Sequence, residues 1–221
     1  MKKIVVFLGL ILSVLGCTKV GKNVSVSGRV VNPITGEAIS GMKLELRRDA
    51  LASPGTPNTD VKVIEESTTD ENGYFEINKL ASRKPRLRVV LGETAYLRIG
   101  WYVDNAYTGD ELDLPVKKGN RVEADYHMVP YGQLKISLHN VNCAGTNDTL
   151  IYNRTYISFE GIEVFQPFVL TGCYNTEGAF AQVPSGNYLV EWTVIRSGVS
   201  NSYSHVIAVP GNGQAEYNID Y

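Results

Sequence analysis

Beyond residue 16, no segment of this chain holds a helical hydrophobic period for three turns, whereas apolar and polar residues alternate with period two throughout. Val24, Val26 and Val30 form one such row, and Met42, Leu44 and Leu46 a second. Val61 with Val63, Phe75 with Ile77, Leu87 with Val89 and Leu91, and Leu97 with Ile99 continue the pattern. Residues two apart share one face of a strand, so these rows read as half-buried strands. Turn signals separate them, among them Asn32-Pro33-Ile34-Thr35-Gly36-Glu37 and Asp70-Glu71-Asn72-Gly73. The chain holds 13 Tyr and 21 Gly, which suits many short strands and tight turns. The class is all-β.

Two motifs make the reading more specific. S-G-x-V-x(4)-T-G-E-x-I-x-G runs from Ser27 to Gly41, and T-D-x-N-G-x-F from Thr69 to Phe75. Together they resemble the carboxypeptidase regulatory-like domain. That family is a small transthyretin-like β-sandwich with no catalytic residues of its own. The resemblance therefore implies a fold and leaves the ligand open. It covers about a quarter of the chain, Val24 to Leu80.

The second half repeats the logic. Gly178-Ala179-Phe180, then Val183-Pro184, Gly186 and Tyr188 give G-x-F-x-x-V-P-x-G-x-Y, an echo of Thr69 to Leu80. This form resembles a turn of transthyretin-like and collagen-adhesin B-type sandwiches and implies a second, Ig-like β-sandwich. Val122 to Val129 alternates and would close the first sandwich. Gln133 to Leu138 starts a new alternating run, with Pro130-Tyr131-Gly132 as a short connection between them. The expected units are residues 24–130 and 131–221. Asp49 to Asp60, rich in Pro and small polar residues, reads as a disordered connection between strands.

The first 16 residues read as a targeting segment. Lys2 and Lys3 precede an apolar run, Ile4 to Leu12, too short for a comfortable membrane span. Val14-Leu15-Gly16-Cys17 resembles a bacterial lipobox, which implies cleavage after residue 16 and acylation of Cys17, with residues 17–23 as a lipidated linker. Each acyl CH₂ buried in a bilayer contributes about 0.8 kcal/mol, so several chains on one cysteine give lasting attachment. Thr18 rather than Asp follows the cysteine, which by resemblance to lipoprotein sorting points to the outer membrane. The run Thr18 to Lys22 lacks the acidic stretch of Bacteroidota surface lipoproteins, so the periplasmic and outer faces both stay open. Cleavage leaves 205 of the 221 residues and takes the formal charge from −2 to −4. A weakly acidic chain without a basic cluster argues against nucleic acid as partner. The one dense basic stretch, Arg83 to Arg88, reads as alternating solvated charges at a strand start.

Few residues invite chemistry. There is no G-x-S-x-G and no H-E-x-x-H, and His127, His139 and His205 each sit in or beside a strand-like run. No enzyme, cofactor or metal site is expected. No C-x-x-C or H-x-x-x-H spacing is present. The carboxylates between Trp101 and Asp113, the alternative seat for Ca²⁺, lack the spacing of an EF-hand loop, while the turn role of Asp70, Glu71 and Asn72 accounts for them without Ca²⁺. A Lys–Asn isopeptide bond of the adhesin type would need Lys135, Asn218 and Glu191 to face a core. Period two places all three opposite their apolar neighbours. Cys143 and Cys173 are expected to form a disulfide in an oxidising compartment. Asp148-Thr149-Leu150 resembles the O-glycosylation site of Bacteroidota extracytoplasmic proteins.

The candidate ligand site is Trp101 to Asp113, where aromatic rings and carboxylates concentrate. Trp101 is expected in the core. Tyr102, Asp104, Tyr107 and Asp110 are expected to be exposed together, as a platform on which a sugar ring stacks while acidic groups take its hydroxyls. The resulting expectation is an outer-membrane-anchored, non-catalytic binding lipoprotein, accessory to glycan uptake or envelope assembly, whose partners are the membrane and a glycan or envelope protein. The alternative is a structural, fimbrial-like or envelope-assembly subunit.

Overall fold

The computed structural model describes residues 22–49, 61–81, 84–90, 96–109, 112–159 and 167–221. Cys17, the targeting segment, most of the Asp49 to Asp60 connection and Asp110 lie outside these residues. Every described regular element is a strand, and no described helix is long and apolar enough to cross a membrane.

The first sandwich uses β1 (Lys22–Val31), β2 (Lys43–Asp49), β3 (Val61–Thr68), β4 (Tyr74–Ala81), β5 (Pro85–Val90), β6 (Tyr96–Val103), β7 (Ala106–Tyr107), β8 (Asp113–Pro115) and the first half of β9 (Arg121–His139). One sheet has the order β4-β1-β9-β6-β7, the other β3-β2-β5-β8. Their inner faces meet in one apolar cluster that includes Val24, Val26, Val30, Leu44, Leu46, Phe75, Ile77, Leu87, Trp101, Tyr126 and Met128.

The two motifs form one interlocked corner. Gly36, at φ 75°, closes the first turn by donating to Asn32 O at 2.8 Å. Gly73, at φ 71°, closes the second by donating to Asp70 O at 3.0 Å. The Asp70 carboxylate accepts from the backbone N–H groups of Asn72 and Tyr74, both at 2.8 Å, so it serves the turn. The turns then touch: Val30 N donates to Gly73 O at 2.8 Å. Buried Thr69 donates its hydroxyl to Ile39 O and accepts from Met42 N.

The second sandwich adds β10 (Thr149–Tyr156), β11 (Phe168–Thr171), β12 (Asn175–Thr176), β13 (Ala181–Pro184), β14 (Gly186–Arg196), β15 (Val199–Val209) and β16 (Gln214–Asp220). The order β11-β10-β14-β15 makes one sheet. The second half of β9 makes the other, with β12 and β13 antiparallel on one side and β16 parallel on the other. Leu134, Leu138, Leu150, Tyr188, Val190, Val194, Ile207 and Ile219 fill the space between.

Pro130-Tyr131-Gly132 is not a connecting turn. All three residues lie inside β9, a single strand of 19 residues that serves both sandwiches. Proline is tolerated because its missing N–H is not called on, while its carbonyl accepts from Ser185 N at 2.9 Å. Gly132 answers to a close approach: a Cβ there would lie 2.3 Å from Pro210 O. The buried phase nevertheless runs on through Ala124, Tyr126, Met128, Gly132, Leu134 and Leu138. Two rows also break phase. Ile64 is skipped in the β2–β3 register, and Val61 and Val63 turn outward while Ile64 packs on the core. Ile99 is skipped in the β6–β9 register in the same way. Each is a bulge, which puts two residues opposite one.

Candidate functional site

β6 and β7 form a two-residue hairpin. Asp104 and Asn105 both take positive φ, 51° and 61°, as a type I′ turn requires. The hairpin sets Tyr102 opposite Tyr107, with ring centroids 5.5 Å apart. On its other side Tyr102 stacks on His127 of β9 at 4.0 Å and 23°. Three rings thus stand in a row across three neighbouring strands, and Tyr107 at the outer end is 51% exposed. Trp101 points the other way. It is fully buried, edge-on to Phe75 and Tyr126, and its indole N–H donates to Leu112 O at 3.3 Å.

Beside the rings is an open depression of about 230 Å³ lined by Tyr102, Asp104, Asn105, Glu123, Ala124 and Asp125. Asp125 also accepts from Arg29 N at 2.7 Å, which fixes its carboxylate against β1. Burial holds the His127 imidazole below its ordinary range, against the opposing pull of Asp125. Burial, with a smaller contribution from Tyr107, raises the Tyr102 phenol. The row presents two phenol rings and an imidazole biased to neutrality beside three carboxylates and an amide. Such a site offers a ring face and hydrogen-bond acceptors for hydroxyl donors.

Of the residues singled out in sequence, Tyr102, Asp104 and Tyr107 come together here, and Asp110 lies outside the described residues. Glu123, Asp125 and His127 complete the site from β9. Their outward phase was readable, because Ala124, Tyr126 and Met128 are the apolar alternates. Their pairing with β6 is long-range and leaves no local signal.

Cys143 and Cys173 are joined by a disulfide, Cα to Cα 5.4 Å. Buried Asp148 braces the same loop. It accepts from Ala144 N at 3.0 Å, Asn140 Nδ2 at 3.1 Å and Arg196 Nε at 3.1 Å. These partners, the Ala144 amide first, hold its carboxyl below the usual range. Thr149 opens β10, half-buried between β11 and β14. Lys135 sits on the outer face of β9 and pairs with Glu216 at 2.6 Å and Glu177 at 3.4 Å, while Asn218 and Glu191 are exposed. His139 bridges Asp220 and Glu177, both at 3.0 Å, and the two carboxylates raise its imidazole. In the basic stretch, Arg86 pairs with Asp49, and Arg88 holds Asp113 through two hydrogen bonds at 2.7 and 2.6 Å. Among the described residues, no group of three or more His, Cys, Asp or Glu side chains is arranged to hold a metal ion.

No protein-family model matches the chain, and no curated protein sequence does. Several solved structures align with most of the chain at low scores. The TIE protein of Bacillus anthracis is 13% identical with a TM-score of 0.36; the match covers 90% of this chain and 34% of that one. A minor pilin of Streptococcus agalactiae is 10% identical with a TM-score of 0.33, covering 89% and 94%. A DUF3823 family protein of Bacteroides uniformis is 12% identical with a TM-score of 0.32, covering 85% and 100%. This chain thus spans about a third of the first protein and nearly all of the other two. At these scores no role is carried over from them.

Proposed function

We propose that this chain is a non-catalytic binding lipoprotein of the bacterial envelope, whose first sandwich takes an uncharged saccharide at the Tyr107–Tyr102–His127 row. The observation that carries the reading is this ring row, half-buried at Tyr102 and His127 and exposed at Tyr107, with Asp104, Asn105, Glu123 and Asp125 beside it. Carboxylates favour hydroxyl donors over anionic sugars, and the free face of Tyr107 suits a pyranose ring. The carboxypeptidase regulatory-like resemblance supports a binding module over an enzyme.

The experiment is a glycan screen of the chain followed by titration of the hits. Tyr107→Ala is expected to weaken binding about tenfold, since a stacked ring contributes on the order of 1 kcal/mol. Its stability should stay within about 0.5 kcal/mol of wild type, as for other surface changes. If every glycan that binds also binds Tyr102→Ala/Tyr107→Ala with wild-type affinity, the row is not the site.

Lipid anchoring through Cys17 rests on the Val14 to Cys17 pattern, and the outer membrane on Thr18 after it. Cys17→Ser should abolish acyl labelling and release the chain from the membrane fraction. Unchanged labelling would refute the anchor.

A further inference from the structure

Sheet edges offer unpaired N–H and C=O groups, and folded proteins blunt them with charges, proline, bulges or brevity. Most described edges here follow that rule. β3 carries Lys62, Glu65 and Glu66 and the bulge at Ile64. β4 carries Glu76 and Lys79, and β16 carries Glu216 and Asp220. β7, β8 and β11 are two, three and four residues long.

β15 breaks the rule. It runs for 11 residues, VSNSYSHVIAV, with no Lys, Arg, Asp, Glu or Pro. Its register with β14 is unbroken from Gly186↔Val209 to Arg196↔Val199, so no bulge twists it away. No described strand pairs with its other side. Val199, Tyr203 and Val206 are 60, 50 and 48% exposed.

We propose that β15 is a self-pairing edge, which joins two copies of this chain antiparallel about a two-fold axis at Ser204. The strand is uncharged along its whole length on both sides of that residue. Val199 would face Val209 of the second copy, Ser200 would face Ala208, Asn201 would face Ile207, Ser202 would face Val206, and Tyr203 would face His205. No charge meets a like charge, so a second copy meets no electrostatic penalty, and a strongly charged partner would find no counter-charge.

The ring arrangement points the same way. Tyr203 stacks on Trp192 at 5.6 Å, and His205 stacks on Tyr217 at 4.4 Å. Tyr203 and His205 lie on the same strand face, and pairing continues that ring array across the axis twice. Two four-stranded sheets become one eight-stranded sheet, and the isologous contact closes at the dimer.

The test uses the full chain carrying two different epitope tags, co-expressed and extracted in detergent. Capture of one tag should recover the other for wild type. Ser204 is exposed and lies opposite Glu191 of β14 in the same copy. Ser204→Lys therefore leaves the fold intact, while Ser204→Glu is first checked for wild-type circular dichroism. Either charge opposes itself across the axis. Co-capture of two Ser204→Lys copies, or of two Ser204→Glu copies, should fall at least about tenfold. One Ser204→Lys copy with one Ser204→Glu copy should restore it. Absence of wild-type co-capture overturns the proposal. So does capture indifferent to either charge, which would mean contact elsewhere or shared micelles, and so does failure of the mixed pair to recover.

Discussion

Gly28→Ala is expected to destabilise the first sandwich by about 3 kcal/mol or more, at the upper end for overpacking. β1 runs parallel to β9 here, with Ser27 opposite Glu123 and Val30 opposite Tyr126. A Cβ on Gly28 would lie 1.8 Å from Ala124 O and 2.6 Å from Ala124 C. The obstruction is backbone, so no rotamer change relieves it, and the two strands must part. Separation would expose Val26 and Val30, which are fully buried. Gly36→Ala provides the comparison. Its Cβ meets nothing within 4 Å and pays only for a left-handed φ of 75°, about 1 kcal/mol. Urea titration followed by circular dichroism measures both. Equal midpoints for the two variants would mean that Gly28 is not the point of closest strand approach.

The same comparison shows what the sequence displayed and what it hid. The Ser27–Gly41 and Thr69–Phe75 motifs were legible because their turns are local: a glycine that needs positive φ and an Asp that caps its own turn are written within five residues. Even the echo at Gly178 has a structural counterpart. A Cβ on Gly73 would strike Val30 O at 2.6 Å, and one on Gly178 would strike Ile136 O at 2.1 Å, each against the first strand of its own sandwich. The split of Trp101 inward and Tyr102 outward followed from period two alone.

The rest was not local. A bulge shifts phase without a composition signal, so Ile64 and Ile99 could not be distinguished from ordinary alternates. Pro130-Tyr131-Gly132 has turn composition, yet the demand on Gly132 comes from Pro210, 78 positions away. The candidate site was half legible for the same reason. Tyr102, Asp104 and Tyr107 share one hairpin, while Glu123, Asp125 and His127 arrive only through the pairing of β6 with β9.

Trp101→Ala is expected to cost about 3 to 5 kcal/mol, as for other large aromatic rings removed from a core. The indole is fully buried between Phe75 at 6.2 Å and Tyr126 at 4.9 Å, and it ties β6 to Leu112 through its N–H. Truncation leaves a cavity between the sheets and leaves the Leu112 carbonyl short of a donor. The variant has a further use. The chain has two tryptophans, Trp101 and Trp192, so the variant's remaining indole fluorescence comes from the second sandwich alone. Circular dichroism should then show an early transition from the first sandwich, while the Trp192 transition keeps its wild-type midpoint. That outcome follows if the two apolar clusters unfold separately although β9 runs through both and Ile34, from the first sandwich's turn, packs on the second. A Trp192 transition that moves down together with the circular dichroism would mean that the shared strand makes one cooperative unit of the pair. The reading of 24–130 and 131–221 as separate folding units would then be wrong.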